Sequence, residues 1–206
     1  MTNIIKIAIV GLGQVGNYLY RELNLKKKNI EIKSGKKIQI VAISAKNKNK
    51  KRKYKINKKI FFKDPIKIIK QIKPDILFEA IGQSDGISKK VVETALNNKI
   101  HVITPNKALI SKHGDYLAKL AEDNYVNLEF EASVAGGIPI IRTIKESLAT
   151  NKISKVYGIL NGTTNYILSE MRESKDNFAN VLKKAQSLGY AEPGNPKLDL
   201  NGFDAF

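Results

Sequence analysis

The feature that most restricts this chain is a glycine pattern close to its start. An apolar, β-branched run, Ile4 to Val10, leads directly into Gly11-Leu12-Gly13-Gln14-Val15-Gly16. Such a run reads as a strand buried on both faces of a parallel sheet. The residues after it, from about Val15 to Leu23, read as a helix. A G-x-G-x-x-G pattern between a strand and a helix is the context that a dinucleotide-binding turn requires. Gly11 allows the tight turn, Gly13 admits backbone N–H groups to a pyrophosphate, and Gly16 allows helix and strand to pack closely. The helix start adds partial positive charge toward the phosphates. Gly11, Gly13, Gln14, Val15 and Gly16 are therefore the candidate cofactor cradle.

The rest of the chain repeats this alternation. Lys37–Ser44, Asp75–Ala80, His101–Thr104 and Asn127–Glu131 read as strands, with a short one at Phe61 and Phe62. Helical stretches lie between them, one opening at Pro65, one marked by Ile87, Val91, Val92, Ala95 and Leu96, and one following Lys107. Strands alternating with helices predict parallel βαβ units. Ala45 to Lys59, rich in Lys and Asn, reads as the least structured part. After Ser133 a glycine-proline turn leads to a helix reaching about Ala149. A strand is expected over Ile153–Leu160, then helices over Tyr166–Arg172 and Phe178–Leu188.

The tip of the second strand bears on the cofactor. An NAD site usually carries Asp or Glu there, accepting from the ribose 2′-OH. Here Ser44, Ala45 and Lys46 follow, and Lys48, Lys50, Lys51 and Arg52 crowd the next turn. That chemistry suits a 2′-phosphate, so NADP(H) is expected over NAD(H), with Ser44 and Lys46 as candidate contacts. The same loop also fits a general lysine excess. The net charge is +17, and only four of the 36 basic residues are Arg. Nucleic-acid readers lean on Arg for bidentate base contacts, so no nucleic-acid partner is expected. The absence of Cys excludes disulfides, Cys-ligated zinc, iron–sulfur clusters and thiol nucleophiles. No apolar run approaches the roughly 18 residues of a membrane span. The start of the chain does not read as a signal peptide. A cytoplasmic setting without membrane contact is expected.

Four strings in the second half are more specific than composition explains: TPNKALI (Thr104–Ile110), EASVAGGIPII (Glu131–Ile141), GILNGTTNYIL (Gly158–Leu168) and GYAEPGNPKLDLNGFDA (Gly189–Ala205). In this order, behind the glycine turn, the chain resembles homoserine dehydrogenase over essentially its whole length. Pro105 stands where that family usually has Ala. The resemblance implies an α/β fold: a Rossmann-type parallel sheet over residues 1–130, then over 131–206 the first part of an α+β catalytic and dimerisation domain. It implies hydride transfer between NAD(P)(H) and the pair L-homoserine and L-aspartate 4-semialdehyde, in threonine and methionine biosynthesis, by a homodimer. It assigns Lys107 to the nicotinamide–substrate junction, touching cofactor and acting in catalysis. A buried lysine of lowered pKa there could exchange a proton with the alkoxide. Glu131 with the carbonyls of Val134, Gly136 and Ile138 is implied as a site for a sodium-type monovalent cation, an all-oxygen set suited to a hard ion. The turn could equally have an empty centre. Gly162, Thr163, Tyr190, Glu192, Asp199 and Asp204 are implied as substrate contacts, with Asp204 also catalytic. Glu192 is expected to meet the α-ammonium.

In the family the motif at Asp204 runs on to a lysine four residues later, whereas here Ala205 and Phe206 end the sequence. Two expectations follow. The chain is a fragment of a longer enzyme or a naturally shortened one, and it binds NADP(H) yet turns over poorly. A non-catalytic NADP-binding remnant, or a subunit needing a second polypeptide, stands as the alternative.

Overall fold

The structure, a computed structural model, describes residues 4–191 and Leu200. The described chain divides into two compact units, residues 1–149 and 150–206.

The first unit is built on one parallel sheet. Its strands are β1 (Ile4–Val10), β2 (Lys37–Ser44), β3 (Phe61–Phe62), β4 (Ile76–Glu79), β5 (His101–Ile103) and β6 (Leu128–Glu129). They lie in the order β3-β2-β1-β4-β5-β6, all parallel. The order reverses between β1 and β4, and in such sheets ligands bind outside the carboxyl ends of the strands at that reversal. The helices are α1 (Gln14–Leu25), α2 (Lys27–Ser34), α3 (Pro65–Lys67, continuing as a π turn Ile68–Ile72), α4 (Ile87–Asn97), α5 (Lys107–Asp123) and α6 (Ile140–Arg142, continuing as a π turn Thr143–Ser147).

Alternation along β1 explains the two layers. Ala8 and Val10 face one way and join Leu77, Val91, Val92, Leu96, Leu109 and Leu117, the inner faces of β4, α4 and α5. Ile7 and Ile9 face the other way and meet Ile38, Ile43 and the α1 residues Leu19 and Leu23. Helices thus cover both faces, which is why β1 is apolar at nearly every position. The α/β class and the strand positions agree with the sequence reading.

Two expectations of local structure are corrected. Ala45–Lys59 has little regular structure but is firmly tied. Arg52 donates to the carbonyls of Leu12, Asn47, Lys48 and Lys50. Asn17, buried in α1, clamps the backbone of Tyr54 through both its N–H and its carbonyl, each at 2.9 Å. The expected strand Ile153–Leu160 does not form. That segment has no regular structure, and Val156, Tyr157, Ile159 and Leu160 stand exposed. A strand needs a neighbour for its N–H and C=O groups, and the described part of the second unit holds no other strand. That part is helical: α7 (Gly162–Ser174) and α8 (Phe178–Ser187) pack through Ile167, Val181, Ala185 and Ala191, with Leu200 against them.

Candidate functional site

The glycine turn is formed by contacts that a side chain would block. Gly11 has φ +94°, a region that L side chains rarely adopt, and a Cβ there would overlap the carbonyl of Ala80 at the end of β4. A Cβ on Gly16 would overlap the carbonyl of Gly11. These two glycines pull α1 down onto the sheet. Gly13 differs, because a Cβ there would meet nothing within 4 Å. It is the N-cap of α1, with no side-chain cap and no acidic residue in the first turn. The first N–H groups of a helix have no intrahelical acceptor. Gly13 therefore leaves the positive end of α1 open to an anion.

A cavity of about 680 Å³ opens beside this turn. Gly13, Gln14 and Val15 line it, together with Tyr18, Leu19 and Glu22 of α1. The basic loop contributes Lys50, Lys51, Arg52, Lys53 and Tyr54. Phe78, Glu79 and Ala80 come from the end of β4, and Ile103, Pro105 and Ala132 lie beyond. Volume and composition suit a cofactor. Gly11 and Gly16 lie beneath this surface rather than on it. Ser44 is buried, and its carbonyl accepts from the Gly11 N–H at 2.9 Å. Lys46 is exposed and is not among the lining residues. The cations that line the cavity are Lys50 to Lys53, brought there by the Arg52 and Asn17 anchors. The tip of β2 itself carries no carboxylate, and Glu22 of α1 is an acid on the same cavity surface.

Lys107 is the first residue of α5, with Asn106 as N-cap accepting from the Leu109 N–H. The reading of Lys107 as buried is corrected: its side chain is exposed, because the first turn of α5 faces outward while Leu109 and Leu117 face the core. The loop between β4 and α4 is held against α5 by Asp85, which accepts from Lys112 at 2.7 Å and meets His113 at 2.9 Å. Hydrogen bonds from Lys112, Ser84 and His113 hold the Asp85 carboxyl well below the usual carboxylate range.

Glu131 opens a short turn, and its carboxylate accepts from the N–H groups of Ile141 at 3.1 Å and Arg142 at 2.8 Å. The Ile138 carbonyl accepts from the Ile140 N–H at 2.8 Å. Val134, Gly136 and Ile138 follow within the same bend, where Ala135 and Gly137 have positive φ. Every group in this set is an oxygen, the ligand type that hard cations prefer in general.

In the second unit, Asn161 caps α7 by accepting from the Thr164 N–H at 2.7 Å. Gly162 is the first residue of α7, with open space where a Cβ would be. Thr163 Oγ1 donates to the Tyr190 carbonyl at 2.5 Å, and the Tyr190 ring stacks on Tyr166 with centroids 4.6 Å apart. Gly162, Thr163 and Tyr190 are thus gathered at one end of α7. Glu192, Asp199 and Asp204 lie outside the described residues.

One group at the carboxyl edge of the sheet escaped the sequence reading. Glu79, the last residue of β4, is fully buried and lines the cavity. Its carboxylate accepts from Ser88 Oγ at 2.7 Å, Thr104 Oγ1 at 2.6 Å and the Ile81 N–H at 2.7 Å. In the sequence it is one acid inside the apolar string DILFEA. The only signal was an acid at the end of a buried strand, where burial demands partners.

Known proteins agree with this geometry. The family model for the NAD binding domain of homoserine dehydrogenase matches residues 11–131, and that for homoserine dehydrogenase matches residues 139–206. The homoserine dehydrogenase of Neisseria gonorrhoeae is 41% identical over 98% of this chain, which covers 46% of that protein. That of Bacillus subtilis is 37% identical over the same share. Crystal structures of homoserine dehydrogenase from Staphylococcus aureus at pH 6.0 (TM-score 0.81, 39% identity, 98% of this chain and 50% of that one) and from Thiobacillus denitrificans (TM-score 0.83, 35%, 100% and 47%) have the same fold. A hyperthermophilic archaeal homoserine dehydrogenase solved with NADPH superposes with a TM-score of 0.78 at 26% identity, over 98% of this chain and 66% of that one. The chain spans about half the length of the curated relatives it matches. Among the described residues no helix is long and apolar enough to cross a membrane. The first unit carries the NAD-binding domain, and the chain belongs to the homoserine dehydrogenase family.

Proposed function

We propose that this chain interconverts L-homoserine and L-aspartate 4-semialdehyde with NADP(H), in the route to threonine and methionine. The observation that carries the reading is the open end of α1 at Gly13, beside a cavity lined by Lys50, Lys51, Arg52 and Lys53. The α1 N-terminus and Gly13 receive the pyrophosphate. The basic loop, with Ser44 and Lys46 at its root, receives the 2′-phosphate and sets the preference for NADP(H) over NAD(H). NADP(H), when bound, supplies or accepts the hydride.

Lys107 Nζ delivers a proton to the oxygen that becomes the alcohol and recovers it in the reverse direction. Glu192 pairs with the substrate α-ammonium, while Gly162, Thr163, Tyr190, Asp199 and Asp204 line the remainder of its pocket. Asp204 also takes part in catalysis. Glu131 and the carbonyls of Val134, Gly136 and Ile138 hold a sodium-type cation that stiffens the bend. Residues 1–130 form the nucleotide-binding domain and 131–206 part of the catalytic domain of a cytoplasmic homodimer.

The test is cofactor titration followed by reduced-nicotinamide fluorescence. NADPH should bind at least about tenfold tighter than NADH, a difference of about 1.4 kcal/mol. The triple variant Lys50→Ala, Lys51→Ala, Lys53→Ala should lose that difference by weakening NADPH alone. Arg52 is left intact because its guanidinium holds the loop. Equal affinities in the parent chain would overturn the NADP(H) preference. Homoserine added with NADP+ should generate reduced nicotinamide. Binding without turnover would assign the alternative, an NADP-binding chain that is non-catalytic or is completed by a second polypeptide.

A further inference from the structure

The Glu79 carboxylate receives donors from four separate parts of the chain. Ile81 belongs to the turn after β4, Ser88 to the first turn of α4, Thr104 to the end of β5, and Asn106 to the N-cap of α5. The Asn106 Nδ2 group lies 3.3 Å from Glu79 Oε2 and 2.9 Å from the Gln83 carbonyl. Thr104 Oγ1, while donating to Glu79, accepts from the Asn106 N–H at 3.0 Å. All of Glu79, Ser88, Thr104 and Asn106 are buried. Among the described residues no cation pairs with Glu79.

An uncompensated buried carboxylate is costly, and a core of this kind tolerates one only when donors surround it. Simple bridging of strands needs no charge, since backbone pairing already joins β4 to β5. What the carboxylate adds is a fixed geometry for two turns just past the paired residues, Ile81–Gln83 and Pro105–Lys107; the Thr104 N–H still pairs with the Glu129 carbonyl at 2.9 Å. Both turns leave the sheet beside its reversal point, and Glu79, Ala80 and Pro105 line the cavity there.

We infer that Glu79 is a positioning residue for the nicotinamide end of the cofactor site, holding these two turns and the start of α5 in register. The inference rests on the reading of the cavity as a nicotinamide cofactor site. It assigns no contact between Glu79 and substrate. The adenosine end is built by other residues, Gly13 and the basic loop, so the effect is local.

The experiment titrates the 206-residue chain and its Glu79→Gln variant with NADPH and with 2′-phospho-ADP-ribose, which lacks the nicotinamide. The thermal melt of each protein is recorded alongside. Glu79→Gln replaces one acceptor oxygen by a donor, which faces the donors already present. NADPH affinity should fall at least about tenfold, as expected for losing hydrogen bonds to a charged group. Affinity for 2′-phospho-ADP-ribose should stay within about twofold, and the enhancement of bound NADPH emission should diminish. Equal weakening of both ligands would mean a general loss of structure and would overturn the inference, as would unchanged NADPH binding in a folded variant. Should Glu79→Gln fail to fold, Thr104→Val removes, at nearly constant shape, the hydroxyl that donates to Glu79 and accepts from the Asn106 N–H. It should show the same selective loss at smaller size, and its absence in folded protein overturns the inference equally. If the parent chain binds neither ligand, the cofactor-site reading itself fails, a result distinct from either.

Discussion

Gly13 and Gly16 are three positions apart and do different work, which makes them separable by mutation. Gly16 presses on the Gly11 carbonyl, so Gly16→Ala forces backbone apart. Overpacking of that kind costs about 1–3 kcal/mol, and the melting temperature should fall visibly. Gly13 has φ −70° and empty space around its missing Cβ. Gly13→Ala should therefore melt within about 2 °C of the parent chain. It should still weaken NADPH about tenfold or more, because a methyl group occupies the place where phosphate approaches the helix end. A Gly13→Ala chain that binds NADPH normally would show that the pyrophosphate does not sit there. The packing roles of Gly11 and Gly16 were legible in the sequence because the motif is short-range and its strand–turn–helix context was visible around it. Glu79 was not. A lone acid inside an apolar string gives no hint of its donors, which lie as far as 27 residues away along the chain.

At the scale of elements, the basic loop shows how sequence-distant anchors order a segment that has no regular structure. Asn17 makes two hydrogen bonds to the Tyr54 backbone, 37 residues away. Asn17→Ala leaves two backbone groups without partners, each loss costing about 1–3 kcal/mol if they stay buried. The loop should instead loosen into water. The variant should be cut faster by trypsin at Lys50 to Lys55, and NADPH should restore part of the protection. NADPH affinity should drop more than NADH affinity, as the role proposed for the loop at the 2′-phosphate requires. Unchanged cleavage would show that the Asn17 hydrogen bonds do not hold the segment. Lysine-rich composition made this loop look unstructured, because composition records charge but not the partners of Arg52 and Asn17. By contrast, β2 was legible to the residue, since KIQIVAIS places four β-branched residues, Ile38, Ile40, Val41 and Ile43, within eight positions. The helix α2 was missed for the opposite reason: KKNIEIKS holds only two apolar residues, too few to mark a helical face.

For the whole molecule, the two units differ in what they complete. Residues 1–149 contain all six strands and both faces of the sheet core. Residues 150–206 carry a small helical core and an exposed apolar segment over 153–160, with Val156 70%, Tyr157 87%, Ile159 76% and Leu160 74% exposed. A strand-prone apolar stretch with unpaired backbone is a template for another copy of itself. The strand expected here from the β-branched and aromatic residues does not form. The sequence could not reveal that the neighbouring described residues supply no partner. The net charge of +17 opposes association at low ionic strength, and salt screens that repulsion, with a Debye length of about 10 Å at 0.1 M falling to about 3 Å at 1 M. The chain should therefore self-associate with rising protein concentration and more strongly with rising salt, as read by light scattering. Ile159→Lys with Val156→Lys should suppress the association while leaving NADPH affinity unchanged. A chain of residues 1–149, which lacks the segment, should stay monomeric under the same conditions and still bind NADPH. If that shorter chain associates as strongly as the full one, the contact lies in the first unit and the exposed segment is not its cause.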